Sequence, residues 1–363
     1  MKKSLGKQFF AILVMMACLA SFMAGCSSDG KEETTKADNA STSEASTSTA
    51  AEAEYPTKEI FGIIPFGESG GVSVAMRAFT PALEKYIGES IVCENQPGAG
   101  GAVGAQYVLN QAADGYTVFL GSDCVCSFKA LGTVDTTSED WEPLMILLRD
   151  SGALSCAPGS IFADMNFMEV IDYIKEHPGE ITFGSGGIGT FQWAWWVLLK
   201  DAYGIDVTVV DYSNASDATT ALMGGHLDLY IAGSSARSLI LSGDLIPITV
   251  MDTDPIEGYD CDTLKDYTSE FDSYMPIGSF FAPYVVKGTP DYIVEQLREA
   301  CLKAYEDESF QTFIETSGRI PVGLAGEEAV EYVKNYESVL SWLLYDTGNT
   351  SVEPSEYGVE RPK

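Results

Sequence analysis

The chain has 363 residues, with 53 acidic side chains against 21 basic ones and a formal charge of −32. Length and apolar content allow two domains of ordinary size with a sizeable buried core. The acidic balance argues against nucleic acid or an anionic membrane surface as the main partner, because both demand basic patches.

Residues 1–25 read as an export signal. Lys2, Lys3 and Lys7 make a positive start, and the apolar run from Phe9 to Phe22 is too short for a comfortable membrane span. The run closes on Met23-Ala24-Gly25-Cys26, small residues before a cysteine, which resembles a bacterial lipobox. That resemblance implies cleavage before Cys26 and a lipid on its sulfur; a plain secretory signal is the alternative. Residues 26–54 are Ser, Thr, Ala, Glu and Asp with almost nothing to bury, a composition that makes a flexible tether. A coil of that length spans roughly 30 Å, which would let the folded part move above a membrane and still stay near it.

From Tyr55 onward strands alternate with helices. The apolar run 60–66 reads as a buried strand, followed by a Gly-rich turn at 67–71 and helical spacing over 72–86. Further strands are expected at 90–93, 117–121, 144–147, 152–156, 181–184, 207–211, 228–232, 246–250 and 280–286. Helices are expected at 101–112, 167–176, 190–203, 215–224, 234–242, 291–306, 309–317 and 326–344. Such alternation predicts parallel sheets and an α/β fold. Cys93, Cys124, Cys126, Cys156, Cys261 and Cys301 show no zinc spacing and read mostly as small buried apolar side chains. No metal or cofactor is called for.

Two turns stand between a strand and a helix. Gly67-Glu68-Ser69-Gly70-Gly71 matches the nucleophile elbow G-x-S-x-G. A hydrolase also needs a base and earlier strands for an oxyanion hole. Here the elbow follows the first strand, and the chain holds only His177 and His226, each beside a turn. Gly184-Ser185-Gly186-Gly187-Ile188-Gly189 formally matches a dinucleotide fingerprint, but bulky Phe191 and Trp193 follow where a backbone must approach closely. Both turns share a simpler property. A Gly-rich turn at a helix start presents free N–H groups and the positive end of a helix dipole. An acidic protein could hold a small carboxylate there without Lys or Arg, unless the glycines merely permit tight turns. Trp193, Trp195 and Trp196 cannot share one helix face; one or two are expected in the core, and Trp193 is the candidate to line a cleft.

At these turns the chain resembles the solute-binding proteins of tripartite tricarboxylate transporters, the Bug receptors, from Tyr55 to about Leu344. Ile64-Pro65-Phe66 with Ser69-Gly70-Gly71 looks like the family's first ligand loop. Glu94-Asn95-Gln96-Pro97-Gly98-Ala99-Gly100-Gly101, Asp114-Gly115-Tyr116-Thr117 running to Leu120-Gly121, and Phe183-Gly184-Ser185 to Thr190 match further segments. So do Ala221 to Asp228 and Ala282-Pro283 with Gly288-Thr289-Pro290. The resemblance implies a type II periplasmic-binding-protein fold. Two α/β lobes would be joined by crossing strands near Ala153–Pro158 and Phe280–Pro283, with lobe 1 at 55–152 and 277–363 and lobe 2 at 153–276.

It also implies a ligand site. Lobe 1 would contribute Phe66, Ser69, Gly70, Gly71, Val72 and Ser73, together with Gly121 and Ser122. Lobe 2 would contribute Ser185, Gly189, Thr190, Phe191 and Gln192 with Tyr212, Ser213 and Asn214. The implied protein is a monomeric, lipid-anchored, extracytoplasmic receptor that passes a small organic acid to integral membrane subunits, without catalysis. A serine hydrolase using Ser69 and a receptor used only for sensing are the competing readings. Four departures bear on the ligand: Ser73 stands where the family usually has Asp, Glu68-Ser69 where it has Pro-Gly, Tyr212-Ser213-Asn214 where it has Tyr-x-Gly, and Trp193 where a His is common.

Overall fold

The computed structural model describes residues 54–362 apart from Ser213, Asn214 and Pro276. The export signal, Cys26 and all but the last residue of the tether lie outside the described residues. The first part of the folded chain runs β1 (Ile60–Ile64), α1 (Gly71–Ile87), β2 (Ile91–Asn95), α2 (Ala102–Leu109), β3 (Thr117–Ser122), α3 (Phe128–Leu131), β4 (Trp141–Pro143) and β5 (Met145–Arg149). A second set follows: β6 (Ala153–Cys156), α4 (Phe167–Glu176), β7 (Thr182–Ser185), α5 (Phe191–Tyr203), β8 (Thr208–Asp211), α6 (Ala215–Met223), β9 (Leu229–Ala232), α7 (Arg237–Ser242) and β10 (Ile246–Val250). The chain ends with β11 (Phe280–Val286), α8 (Asp291–Tyr305), α9 (Glu308–Ser317), β12 (Ile320–Ala325) and α10 (Glu327–Asp346).

These strands build two sheets. One has the order β12-β5-β11-β3-β1-β2, with β4 paired to β11; the other has the order β10-β6-β9-β7-β8. Helices flank both, giving two α/β lobes. The expected parallel pairing holds only in part. β1 is parallel to β2 and β3, and β7 to β8 and β9. In contrast, β11 runs against β3, β4 and β5, and β6 against β9 and β10. β11 enters the first sheet as the chain returns from the second, so it meets its neighbours head to tail.

Apolar spacing explains the helix faces. In α1 the residues Val72, Ala75, Met76, Phe79, Ala82 and Leu83 are buried, three and four apart. Phe79 meets Phe310 of α9 edge to face at 4.9 Å between ring centres, which joins α1 to the C-terminal helices. The helix stops at Gly88 in the left-handed conformation, φ 85°. In α4, Asn166 and Glu169 form a reciprocal capping box.

α5 is buried nearly all round. Trp193, Trp195 and Trp196 are all buried. Trp195 packs edge to face on Phe271, and Trp196 lies against Phe183 of β7. Trp193 is therefore a core residue and not a cleft residue, because α5 is sandwiched between its sheet and the segment around Phe271. Cys124, Cys126, Cys156 and Cys301 are buried as expected, whereas Cys93 and Cys261 are half-buried; all six are free thiols.

The links between the sheets lie side by side. Asp150 N–H donates to the Ser279 carbonyl at 2.6 Å, and Met251 N–H to the Gly152 carbonyl at 2.8 Å. A Cβ at Gly278 would overlap the Asp150 carbonyl oxygen, so only glycine permits this approach. Arg149, the last residue of β5, makes a buried two-pronged ion pair with Asp252, just beyond β10 of the other sheet.

Candidate functional site

A cleft of about 480 Å³ opens where the first lobe faces the second. Its first wall is the turn from β1 into α1. Gly70 N–H closes the turn on the Gly67 carbonyl at 2.9 Å. Gly70 caps α1 in extended conformation, and no side chain caps the helix. A helix start of that kind leaves its first N–H groups for water or a ligand. Asn95 at the end of β2 holds the turn in place. Its side-chain amide donates to the Phe66 carbonyl at 2.7 Å and to the Ser73 hydroxyl at 2.9 Å, while Arg77 donates to its oxygen at 2.6 Å.

The second wall is the turn from β7 into α5, and it is wired differently. Ser185 Oγ accepts from Gly187 N–H at 2.9 Å. The Thr190 hydroxyl donates to the Gly187 carbonyl at 2.8 Å and accepts from Trp193 N–H at 3.4 Å. Side chains of the turn itself thus take up its polar groups, so the two Gly-rich turns are not equivalent anion sites. The turn instead closes the cleft. The position a Cβ would take on Gly189, where φ is +88°, lies 2.9 Å from Leu131 Cδ1 in the first lobe.

Of the residues expected at a ligand site, Phe66, Ser69, Gly70, Gly71, Val72, Ser122, Gly189, Thr190, Phe191 and Gln192 line this cleft. Ser73 lies buried beneath it as the acceptor of Asn95. Ser185 is buried as the acceptor of Gly187. Gly121 sits within β3, where a Cβ would strike the ring of Phe119. Tyr212 is half-buried against the cluster formed by α6 and β9. Ser213 and Asn214 lie outside the described residues.

Three charged residues at the site carry no motif. Asp123 and Asp150 line the cleft, at the ends of β3 and β5. The Asp123 carboxylate accepts from the Ser279 hydroxyl and, at 3.5 Å, from Tyr336. Burial pushes its pKa up to about 6, against the hydrogen bonds that lower it. Asp150 accepts from Ser234 N–H at 2.9 Å and from its hydroxyl at 2.8 Å. Arg319 sits behind the first turn. It donates to the Gly71 carbonyl at 3.4 Å and lies over the rings of Phe281 and Phe313, 5.3 and 5.5 Å from their centres. Burial lowers its pKa, and the charge of Asp150 opposes that. Among the described residues that line the cleft there is no Lys, Arg or His.

Ser69 therefore has no base. His177 bonds through Nδ1 to the Tyr173 carbonyl at 2.9 Å and stacks on the Tyr173 ring, and neither histidine lines the cleft. Among the described residues no group of His, Cys, Asp or Glu is arranged to hold a metal ion. No helix among them is long and apolar enough to cross a membrane.

Comparison with known proteins agrees with this geometry. The sequence profile of the tripartite tricarboxylate transporter family receptor matches residues 75–337. A UPF0065 protein of Bordetella pertussis is 28% identical over 290 residues, covering 77% of this chain and 87% of that protein. The crystal structure of a TctC solute-binding protein from Polaromonas, without ligand, has a TM-score of 0.65 at 25% identity. It covers 81% of this chain and 100% of its own. MatC of Rhodopseudomonas palustris with bound malate has a TM-score of 0.71 at 22% identity, covering 80% and 100%.

Proposed function

The chain belongs to the tripartite tricarboxylate transporter receptor family and is a solute-binding receptor rather than an enzyme; from that premise we propose that it captures a small organic acid in the cleft between its lobes. The uncapped start of α1 carries this reading. The N–H groups of Gly71, Val72 and Ser73 would point at one carboxylate, with the positive end of the helix dipole behind them. Phe66, Phe128, Phe191 and Phe281 would enclose an apolar body. Malate in MatC is a precedent for a carboxylate in this fold.

Opening and closing would follow from motion about the paired links at 150–152 and 277–279, with the contact of Gly189 and Leu131 belonging to the closed arrangement that excludes water. Outside the described residues, the lipobox-like Met23-Ala24-Gly25-Cys26 supports a lipid on Cys26 and an extracytoplasmic location. The tether of 26–54 then suits delivery, by a monomer, to the integral subunits of a membrane transporter.

The test is thermal unfolding of the full chain against mono-, di- and tricarboxylates and their neutral amides. A solute at 100-fold over its dissociation constant adds about 2.7 kcal/mol, a shift of several degrees. A shift with an acid and none with its amide is expected. A shift with amides alone would discard the carboxylate.

A further inference from the structure

The charged side chains that line the cleft, among the described residues, are two carboxylates, Asp123 and Asp150. Both are buried. Asp123 is met by the hydroxyl groups of Ser279, Tyr336 and Ser122 and by a backbone N–H, and no ion pair neutralises it among the described residues. Asp150 is met by Ser234. Its Oδ2 lies 3.9 Å from the position a Cβ would take on Gly71, at the start of α1. Arg319 lies 3.4 Å from that same position and offsets the charge of Asp150 from behind the loop, but it does not line the cleft. Asp123 has no such partner.

A plain carboxylate seated on the α1 amides would thus lie beside Asp150 and share an apolar cavity with Asp123. Like charges repel strongly where water is scarce. A dicarboxylate would add a second negative charge to the same walls. The apolar residues Phe128 and Phe191 supply nothing to offset it. The balance is restored by a ligand that brings its own positive charge. Resting on the receptor reading above, we infer that the solute carries a protonated nitrogen beside its carboxylate, and that Asp123 and Asp150 select it.

The ligand class is an ammonium or guanidinium carboxylate with a largely apolar body. Its carboxylate meets the N–H groups of α1, and its cation faces Asp150 on one side and Asp123 on the other. A cleft of about 480 Å³ accommodates a solute of amino-acid size with room for bound water.

The experiment uses matched triads, by calorimetry and thermal unfolding of the full chain: leucine, isocaproate and isoamylamine; phenylalanine, hydrocinnamate and phenethylamine. Each triad holds the side chain nearly constant and removes first the α-ammonium, then the carboxylate. The expected result is at least one zwitterion binding about tenfold or more tighter than its deaminated acid. In Asp123→Asn that preference should shrink to about threefold or less. A deaminated acid that binds as well as its zwitterion overturns the inference and leaves the receptor reading standing. An amine that binds while both carboxylates fail keeps the cation subsite and overturns the carboxylate. Binding by no member of any triad overturns both. The wild-type comparison decides the matter even if the variant fails to fold.

Discussion

Asp150 and Ser234 are joined twice, through the backbone N–H at 2.9 Å and through the hydroxyl at 2.8 Å. Asp150 belongs to the link that leaves the first sheet after β5, and Ser234 to the turn that follows β9 in the second. The pair therefore fixes one lobe to the other beside the ligand cleft. Ser234→Ala removes the hydroxyl bond to a buried carboxylate and keeps the backbone bond. A loss of about 1–3 kcal/mol is expected from urea unfolding. An unchanged midpoint would mean that the carboxylate finds water in place of the hydroxyl.

Arg149 and Asp252 make the second tie between the sheets, and it is buried. Breaking such a pair leaves a charge with no partner in low dielectric, which costs about 3–5 kcal/mol. Arg149→Met should therefore destabilise strongly. The double variant with Asp252→Leu should recover most of the loss, since apolar replacement of both partners is often nearly neutral. A double variant no better than the single one would show that the link needs the charges for its shape.

Glu337 in α10 lies buried against the 3₁₀ turn at Ser138, accepting from its N–H at 3.0 Å and from its hydroxyl. Burial first, and then the neighbouring Glu139 and Asp140, push its pKa up to about 7. Asp123 is pushed up to about 6 by burial, with Ser122, Ser279, Tyr284, Tyr332, Tyr336, Cys124 and Cys126 around it. A raised carboxyl means that the folded chain holds a proton the unfolded chain has released. Stability from these groups is present below the ordinary carboxylate range and is lost as pH rises toward 7. Unfolding free energy should fall by roughly 2–3 kcal/mol for Glu337 between pH 5 and pH 8, at about 1.4 kcal/mol per unit. In Glu337→Gln that part of the slope should vanish. A variant with the wild-type slope would place the titration elsewhere.

Much of the fold was legible because its local signals agree. The apolar run of β1, the Gly-rich turn and the spacing of α1 each point the same way, and the element order follows. β12 was missed because Pro321 and Gly323 interrupt its alternation; the register shifts between Pro321 and Leu324. An edge strand tolerates that, as an inner strand would not. Trp193 was misplaced because helical spacing shows which residues share a face but not how many faces are covered. The wiring of the second turn could have been read, since Ser185 and Thr190 are short polar residues of the kind that cap helices. Asp123, Asp150 and Arg319 had no local signal. Each is a single residue at a strand end, and they come to the same end of the sheet only because β3, β5 and β12 lie in it together.

Gly189 is where ligand binding and closure can be separated. Its φ of +88° favours glycine, and a Cβ there would lie 2.9 Å from Leu131 Cδ1 across the cleft. Gly189→Ala thus brings two penalties, backbone strain of about 1 kcal/mol or more and a close contact that the flexible end of Leu131 must turn aside to relieve. Strain acts on the second lobe alone and lowers the melting temperature without ligand. The contact acts only when the lobes meet and falls on the flexible end of Leu131, so it weakens the panel solute that first raises melting by about threefold. Leu131→Ala removes the opposing methyl groups and leaves φ untouched. If closure is the main effect, the double variant should regain most of the affinity while keeping the lowered melting temperature. If affinity stays low in the double variant, the loss comes from a distorted 186–190 turn, and Gly189 shapes the site rather than the closure.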